Sequence, residues 1–204
     1  MDDLRVWLNG RYRNAEKLRP RFATATPFPH IVLRGFFREE KIAPVERALR
    51  LQPFTRTAAD LYQFSRTPDF QRLSDRALRA FHSLFRSPAF INHIGTMTAV
   101  PLSGTIDMAG FLYQDTDYLL PHDDRLHGRA IAYILNLSKG FTTKDGGQLQ
   151  LFATKHDKPA RVVKTIPPTP NTLVLFKVTP RSFHQVAEVL SRKKRFSIAG
   201  WFHG

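Results

Sequence analysis

Short apolar stretches separated by turn-forming residues fill the second half of the chain. They are rich in β-branched and aromatic residues, as strands are, and Gly or Pro stands between most of them. Eight strands are predicted there, over residues 105–113, 118–120, 130–137, 148–153, 160–165, 172–178, 186–190 and 196–202. Many short strands joined by such turns favour a double-stranded β-helix, the jelly roll.

The first half of the chain shows a helical spacing instead. Apolar residues recur at intervals of three or four in 38–51 and 74–85, which predicts two helices, and 88–94 is expected to form a further turn or two of helix. Pro44 is expected in the first turn of the first helix, where proline is tolerated. Ser74 is the candidate N-cap of the second helix.

Three further segments of the first half are less regular. Residues 15–22 predict a helix interrupted at Pro20, and 31–33 predict a β-branched strand. Residues 58–64 are expected to be a short helical or irregular piece. The predicted fold class is therefore mainly β with N-terminal helices, and those helices are expected to pack on the outside of one sheet of the jelly roll.

The domain organisation follows from the same pattern, because no internal repeat and no long linker interrupts it. We expect one domain over residues 1–204. Within it, 1–100 is mostly helical support, and 101–204 forms most of the jelly-roll core with the functional site.

Composition excludes several classes of protein. The chain has no Cys, which removes disulfides, thiolate ligands and thiol nucleophiles together. No apolar run reaches the length of about 18 residues that a membrane span needs, and the N-terminus lacks the apolar segment of a signal peptide. We therefore expect a cytoplasmic protein without a membrane partner.

The charge of the chain is strongly positive. The formal net charge is +14 among 204 residues, and the excess is spread over both halves. A basic surface attracts polyanions such as ribosomal RNA, with an affinity that depends on salt. The alternative is a solvated, arginine-rich surface without such a partner, and charge alone leaves both readings open.

The candidate chemistry centres on His122 and Asp124. On a β-strand, residues at i and i+2 point to the same face, so an imidazole and a carboxylate would lie side by side. These are two of the three ligands of a 2-His-1-carboxylate iron site. Asp123 would point to the opposite face and is not expected to be a ligand.

Downstream motifs give this pair a context. In chain order they are Gly146-Gly147-Gln148-Leu149-Gln150-Leu151, Asn171-Thr172-Leu173-Val174-Leu175-Phe176, Ser182-Phe183-His184-Gln185-Val186 and Arg195-Phe196-Ser197-Ile198-Ala199-Gly200-Trp201-Phe202-His203. From about residue 28 to 204, the chain resembles the iron(II)- and 2-oxoglutarate-dependent oxygenases. Within them it is most similar to the prolyl hydroxylase branch that includes the ribosomal-protein prolyl hydroxylases.

The resemblance implies a metal site and a cosubstrate site. His122, Asp124 and His184 would bind Fe(II) and leave three coordination positions open. Arg195 would hold the C5 carboxylate of 2-oxoglutarate, because a guanidinium grips a carboxylate with two parallel hydrogen bonds. Ser197 would lie beside Arg195 on the same face.

Further residues would complete the pocket. The Tyr113 hydroxyl would reach the same cosubstrate, although a packed strand aromatic is the alternative. Leu149 and Val186 would supply apolar walls, and Trp201 would overlie the iron, unless it simply packs in the core. Asn136 stands where close relatives often carry an aromatic residue, and it could offer its amide to the cosubstrate.

The function that the resemblance implies is hydroxylation of a prolyl residue in a protein, with release of succinate and CO2. A ribosomal or translation protein is the substrate that the resemblance suggests. Fe(II) and 2-oxoglutarate would be required, and ascorbate would serve as reductant. Two alternatives stay open. One is the same chemistry on a small molecule or amino acid, and the other is a non-catalytic basic jelly-roll module that binds RNA or the ribosome.

Overall fold

The computed structural model describes residues 3–204. Its helices are α1 Asp3–Trp7, α2 Arg19–Ala23, α3 Glu39–Arg50, α4 Arg76–Arg86 and α5 Pro88–Thr98. Its strands are β1 His30–Arg34, β2 Thr55–Ala59, β3 Tyr62–Arg66, β4 Ile106–Tyr113, β5 Tyr118–His122, β6 Arg129–Asn136, β7 Leu149–Lys155, β8 Lys158–Ile166, β9 Thr172–Lys177, β10 His184–Val186 and β11 Arg195–His203. Short 3₁₀ turns lie at Gly10–Tyr12, Glu16–Leu18, Phe70–Arg72 and Thr143–Asp145.

The strands form one curled antiparallel sheet with two faces turned toward each other. Within the described residues, the order is β1-β9-β6-β11-β4-β3-β5-β10-β7-β8, and β2 pairs with β3. The segment β1-β9-β6-β11-β4 is the larger layer, and β5-β10-β7-β8 is the smaller one. The predicted class, mainly β with N-terminal helices around a jelly-roll core, is confirmed.

The helices cover the outer face of the larger layer, as predicted. Their apolar stripes pack with the outward-facing residues of that layer in one continuous core. That core includes six fully buried phenylalanines and leucines of the first half, namely Leu33, Phe36, Phe37, Phe81, Phe85 and Phe90, together with the strand residues Tyr133, Ile198 and Phe202. Burial of this apolar surface is the main force that fixes the layer on its helical support.

Three details of the predicted helices are wrong. The N-cap of α4 is Asp75, not Ser74, because the Asp75 carboxylate accepts hydrogen bonds from the amides of Ala77 and Leu78. Pro44 lies inside α3, beyond its first turn. Pro20 does not interrupt a helix but lies in the first turn of α2, where its missing N–H has no helical partner to lose.

The segment 58–64 was expected to be helical or irregular and is instead part of a β-hairpin formed by β2 and β3. Nearly every residue of β2 is exposed, so the alternation that marks a strand is missing from its sequence. The second strand joins the two layers. Ser65 and Arg66 pair with β4, whereas Tyr62 and Gln63 pair with β5.

The strand predicted at 186–190 begins and ends earlier, at His184–Val186. After Val186 the backbone leaves the ladder and bonds to loops. The amide of Val189 donates to the carbonyl of Asp117, and the amide of Leu190 donates to that of Asp145. The shift matters because it brings His184 into the strand.

Candidate metal centre

A cavity of about 340 Å³ lies between the two layers. Apolar and aromatic side chains make up much of its lining. Eight of the residues predicted for the site also line it, namely Tyr113, His122, Asp124, His184, Val186, Arg195, Ser197 and Trp201. The fold therefore gathers side chains that are as far apart in the sequence as Tyr113 and Trp201.

The two histidines are brought together by strand pairing. His122 is the last residue of β5 and His184 is the first of β10, and the antiparallel register sets them directly opposite each other. Their ring centroids are 4.2 Å apart. Phe176 packs against the His184 ring with a centroid distance of 4.5 Å, which restricts its rotation.

Asp124 reaches the pair by a different route from the one predicted. It lies beyond the end of β5 and has φ of 62°, in the left-handed region, so the same-face argument for a strand does not apply to it. Asp tolerates this conformation better than most residues. The turn places its Oδ1 3.3 Å from His122 Nε2 and its Oδ2 3.3 Å from His184 Nε2.

Hydrogen bonds fix which nitrogen of each ring faces the centre. His122 Nδ1 is 2.8 Å from the carbonyl oxygen of Leu120, and His184 Nδ1 is 2.9 Å from that of Ser182. Because a carbonyl can only accept, each Nδ1 carries the proton, and each neutral ring presents a lone pair at Nε2.

Two lone pairs and a carboxylate that face one another repel unless a cation lies between them. The three candidate ligand atoms all lie within 4.8 Å of one another. This donor set of two imidazoles and one carboxylate fits the facial triad of non-haem iron. Asp123, by contrast, turns away to bind the Arg125 guanidinium at 2.8 Å, as its expected exclusion from the ligand set requires.

The protonation states reflect the same geometry. Burial alone would lower the pKa of His122, but the hydrogen bond and charge of Asp124 outweigh burial and raise it. Burial pushes the pKa of Asp124 upward, yet the two imidazoles hold it below its ordinary value. The carboxylate of Asp124 therefore favours a positive charge at His122.

Arg195 lies at the other end of the cavity and is 1% exposed. Its Nη1 donates to the Ser197 hydroxyl at 3.2 Å and its Nη2 donates to Asn136 Oδ1 at 3.1 Å, while its Nε has no partner. No ion pair to a carboxylate neutralises it within residues 3–204. Burial lowers the pKa of Arg195. A buried guanidinium in this state fits an anion that comes from outside the protein.

Strand register also assembles the surroundings of Arg195. Tyr113 is its direct partner on β4, and the Arg195 guanidinium lies 5.0 Å from the centre of the Tyr113 ring. Ser197 is directly opposite Asn136 on β6. Asn136 lies behind the guanidinium and not in the cavity lining, and its buried Nδ2 has no hydrogen-bond partner.

Of the two predicted apolar walls, the structure places one at the cavity. Val186 lines it, but Leu149 does not. Leu149 is paired with Val186 across the β7–β10 ladder and packs in a separate core cluster with residues such as Leu151 and Phe176. It is therefore a ladder neighbour of Val186 and not part of the cavity wall.

Trp201 lines the cavity, as predicted, and lies under a second side chain that sequence reasoning missed. The Arg129 guanidinium stacks on the Trp201 ring at 3.3 Å from its centroid, and Arg129 lines the same cavity. The buried Nε1 of Trp201 has no hydrogen-bond partner. Nothing in the sequence singled out Arg129, which stands one residue before the predicted strand 130–137.

The hairpin residues Tyr62 and Phe64 were also missed. They line the cavity, and their rings stack with centroids 5.0 Å apart. The erroneous prediction for 58–64 hid them, although Tyr62 and Phe64 alternate with Gln63 and Ser65 as inward residues of a strand do.

Together, the jelly roll, the 2-His-1-carboxylate set and the buried arginine define the class of metal-dependent oxygenases. Residues 108–203 match the family described as the 2OG-Fe(II) oxygenase superfamily. This match confirms the resemblance predicted from the motifs.

Two named proteins show which members of the superfamily this chain is similar to. Prolyl 3-hydroxylase OGFOD1 of Xenopus laevis is 39% identical over 184 residues, which cover 88% of this chain and 36% of the frog protein. Prolyl 3,4-dihydroxylase OGFOD1 of Ostreococcus tauri is 34% identical over 198 residues, which cover 87% of this chain and 38% of the algal protein. The chain thus spans little more than a third of the length of these curated relatives.

A solved structure supports the fold. The prolyl-4-hydroxylase of Pseudomonas putida superimposes with a TM-score of 0.76 at 17% identity, over 93% of this chain and 98% of that one. In the described part of this chain, residues 3–204, no helix combines the length and the hydropathy required to cross a bilayer.

Proposed function

We propose that the chain hydroxylates a prolyl residue of a protein, using Fe(II) and 2-oxoglutarate. The observation that carries this proposal is the buried, uncompensated guanidinium of Arg195, which shares one cavity with the His122, Asp124 and His184 cluster. A metal site alone fits many reactions. A metal site facing a fixed cation fits a cosubstrate that has a chelating end and a carboxylate at the other end.

In this proposal each residue has a defined task. His122, Asp124 and His184 would bind Fe(II) on one face, with the Nδ1 hydrogen bonds keeping both Nε2 atoms turned inward. Arg195 would bind the distal carboxylate of 2-oxoglutarate, and Ser197 would hold the guanidinium in place.

The remaining residues would shape the cavity around the cosubstrate. The Tyr113 hydroxyl would donate to the same carboxylate, and Asn136 would orient Arg195 from behind. Val186 and Trp201 would exclude water beside the metal, and Leu149 would lie next to Val186 in the β7–β10 ladder. Exclusion of water strengthens the electrostatic interactions within such a site.

Fe(II), when bound, would supply the redox chemistry. In that reaction 2-oxoglutarate and O2 yield succinate and CO2, and one oxygen atom enters a substrate C–H bond. The chain contributes geometry by fixing the ligands and by holding the reacting C–H bond near the metal. Ascorbate is the reductant that we expect to keep iron in its ferrous form.

The names of the relatives support a prolyl substrate. The frog and algal proteins are named for prolyl hydroxylation at the 3 position or at both the 3 and 4 positions. We carry the prolyl residue to this chain as part of the proposal, together with a protein rather than a free amino acid as the substrate. The partly apolar, aromatic cavity suits a pyrrolidine ring.

We further propose that the substrate is a ribosomal or translation protein met in the cytoplasm. The net charge of +14 supports this, because it would draw the enzyme toward proteins that are associated with RNA. The absence of Cys from the sequence is compatible with a reducing compartment.

The test is succinate formation from 2-oxoglutarate with Fe(II), ascorbate and air, for the wild-type chain and His184→Ala. Succinate from the wild type and none from the variant would support the oxygenase reaction. His127→Ala is the matched control, because His127 is exposed and outside the cluster, and it should retain wild-type turnover.

Substrate identity needs a second measurement. Ribosomal proteins and proline-containing peptides would be incubated with the enzyme, and mass spectrometry would locate the gain of one oxygen atom on proline. Turnover by His184→Ala at the wild-type rate would contradict the site assignment. Oxygen incorporation into residues other than proline would contradict the substrate class.

A further inference from the structure

A second cavity lies away from the metal centre, where the curled sheet is open. β1 and β8 are the two ends of the strand order, and within residues 3–204 each pairs with a strand on one side only. Between these edges is a cavity of about 490 Å³, here called the seam pocket. It is lined by residues of α2 and its C-terminal turn, of β1, and of the end of β8, namely Arg21, Thr24, Ala25, His30, Ile31, Val32, Arg34, Lys164, Thr165, Ile166 and Pro167.

The charged residues of the seam pocket all have one sign. Arg21, Arg34 and Lys164 are exposed cations, and no carboxylate belongs to the described lining. None of the three takes part in an ion pair found within residues 3–204. They come from three separate elements, so their convergence is a property of the fold and not of a local run of basic sequence.

His30 gives the seam pocket a buried polar group as well. It is 1% exposed, and its Nδ1 lies 2.8 Å from the carbonyl oxygen of Phe28, so Nδ1 is the proton donor of this pair. Its Nε2 is buried and has no hydrogen-bond partner. Burial lowers the pKa of His30, and the nearby Lys164 lowers it further. Because Nδ1 carries the proton, Nε2 presents a lone pair that can accept a hydrogen bond from a ligand.

The cationic surface continues from the seam pocket along a hairpin. β7 and β8 form this hairpin, and both faces of β8 are largely exposed. Lys155, Lys158 and Arg161 are exposed along it, while Asp157 at the turn is the acidic residue of the segment 154–165. A linear polyanion that enters the seam pocket would meet these cations on its way out.

We propose that the seam pocket binds an RNA strand, with Arg21, Arg34 and Lys164 around one phosphate group and His30 Nε2 accepting a hydrogen bond from a ribose 2′-hydroxyl. The hairpin cations favour a strand over a free phosphate ion, because a single ion in the pocket would leave them without a ligand. This site shares no lining residue with the metal cavity, so it is separate from the hydroxylation site.

The first experiment measures binding of a fluorescent single-stranded RNA of about twelve nucleotides, a length within the usual site sizes for such strands. The variant combines Arg21→Ala, Arg34→Ala and Lys164→Ala. Because each neutralised phosphate contributes about −0.7 to the slope of log affinity against log salt, the loss of this one phosphate site should reduce the magnitude of the slope by about 0.7. The affinity at low salt should fall by about tenfold or more.

The matched control removes the same number of charges elsewhere. Arg47, Arg76 and Arg79 are exposed on α3 and α4, on the helical side of the molecule, and their triple alanine variant has an equal net charge. It should bind RNA within about twofold of the wild type. An equal loss of affinity in both triple variants would show non-specific attraction by net charge and would overturn the proposal.

A second readout follows His30 itself. The ¹⁵N shift of its Nε2, assigned with His30→Gln, should move when the RNA is added and stay unchanged in the triple variant of the seam pocket. Inorganic phosphate is the other arm. A shift with phosphate but no binding of RNA would assign the pocket to a free phosphate ion and overturn the RNA strand as the source, and no shift with either would overturn the site. Succinate formation should be unaffected by the seam-pocket variant, so a failure here is distinguishable from a failure of the proposed function.

Discussion

The two ends of the metal cavity solve the problem of buried charge in opposite ways. At the metal end, one carboxylate lies between two imidazoles, so protons can neutralise the cluster when no metal is bound. At the other end, Arg195 is more deeply buried and has only neutral partners, Ser197 and Asn136. The metal end is thus compensated within the chain, whereas the arginine end needs an anion from outside.

The difference separates two kinds of specificity. The metal end selects a ligand by donor type and geometry, since two imidazoles and a carboxylate suit several divalent metals. The arginine end selects by charge and by distance from the metal, because a buried guanidinium binds tightly only an anion that is long enough to reach it. Substitutions at the two ends should therefore affect different measurements.

The largest effect is expected from Asp124→Asn, which replaces the central carboxylate by a neutral amide of the same size. Iron affinity should fall by more than about 100-fold, because substitution of residues that only hydrogen-bond to metal ligands already costs up to about 100-fold. Turnover should fall to background. Asp123→Asn is the control, because Asp123 binds Arg125 and lies outside the cluster. Iron content after anaerobic loading measures both, and equal retention of iron in the two variants would argue against the assigned ligand set.

At the arginine end, Arg195→Met should weaken 2-oxoglutarate binding by roughly tenfold to 100-fold, since one or two charge-assisted hydrogen bonds are lost. Iron binding should persist. The melting temperature of the cosubstrate-free protein should not fall, because the substitution removes an uncompensated buried charge. Calorimetric titration with 2-oxoglutarate tests this, and unchanged affinity would sink the role of Arg195.

The melting temperature of the metal-free protein, measured over a series of pH values, tests whether the charge of Asp124 stabilises protonated His122. Asp124 raises the pKa of His122 in the folded state, so protonation stabilises the fold. That stability is fully present below about pH 6.5, the ordinary histidine value, and is lost as pH rises through the raised pKa. The melting temperature should decline over this range in the wild type.

The comparison variant for the pH series is Asp124→Asn, which lacks the charge that raises the pKa of His122. Its melting temperature should depend less on pH in the same range. Saturating metal should also flatten the wild-type profile, because bound metal requires neutral imidazoles. Identical pH profiles for wild type and variant would show that other groups control the effect.

The smallest effect is expected from Tyr113→Phe. The ring packs beside Arg195 and stays in place, so only a neutral hydroxyl donor is removed. Affinity for 2-oxoglutarate should fall by about threefold to tenfold, as for one ordinary hydrogen bond. An unaltered affinity would make Tyr113 a packing residue, the alternative that its sequence position also allowed.

Much of this architecture could be predicted because short segments of the sequence carry the pattern of the element that they form. Short apolar stretches rich in β-branched and aromatic residues marked the jelly-roll strands, and the motifs around His122, His184 and Arg195 pointed to the oxygenase superfamily. The β2–β3 hairpin escaped prediction because its first strand is exposed on both faces and carries no periodic signal. With it, the contribution of Tyr62 to the cavity was missed.

Other features depend on tertiary contacts that a single sequence does not encode locally. Asp124 meets the histidines through a left-handed turn, so its selection from the sequence rested on a strand geometry that it does not have. Leu149 is one ladder position away from the cavity, a distinction that strand register decides. The stacking of Arg129 on Trp201 joins residues from neighbouring strands and leaves no mark in either segment.

The strand β3 has a mechanical consequence. It hydrogen-bonds to both layers, at Leu112 and Phe111 on one side and at Leu119 and Tyr118 on the other, whereas β1 and β8 at the opposite margin share no ladder. The two layers are therefore joined by strand pairing along one side, whereas no strand pairing joins them along the other. Thermal opening should proceed from the β1–β8 margin, and amide hydrogen exchange should be faster there than beside β3. The metal cavity, which lies against β3, is on the side of the molecule that opens last.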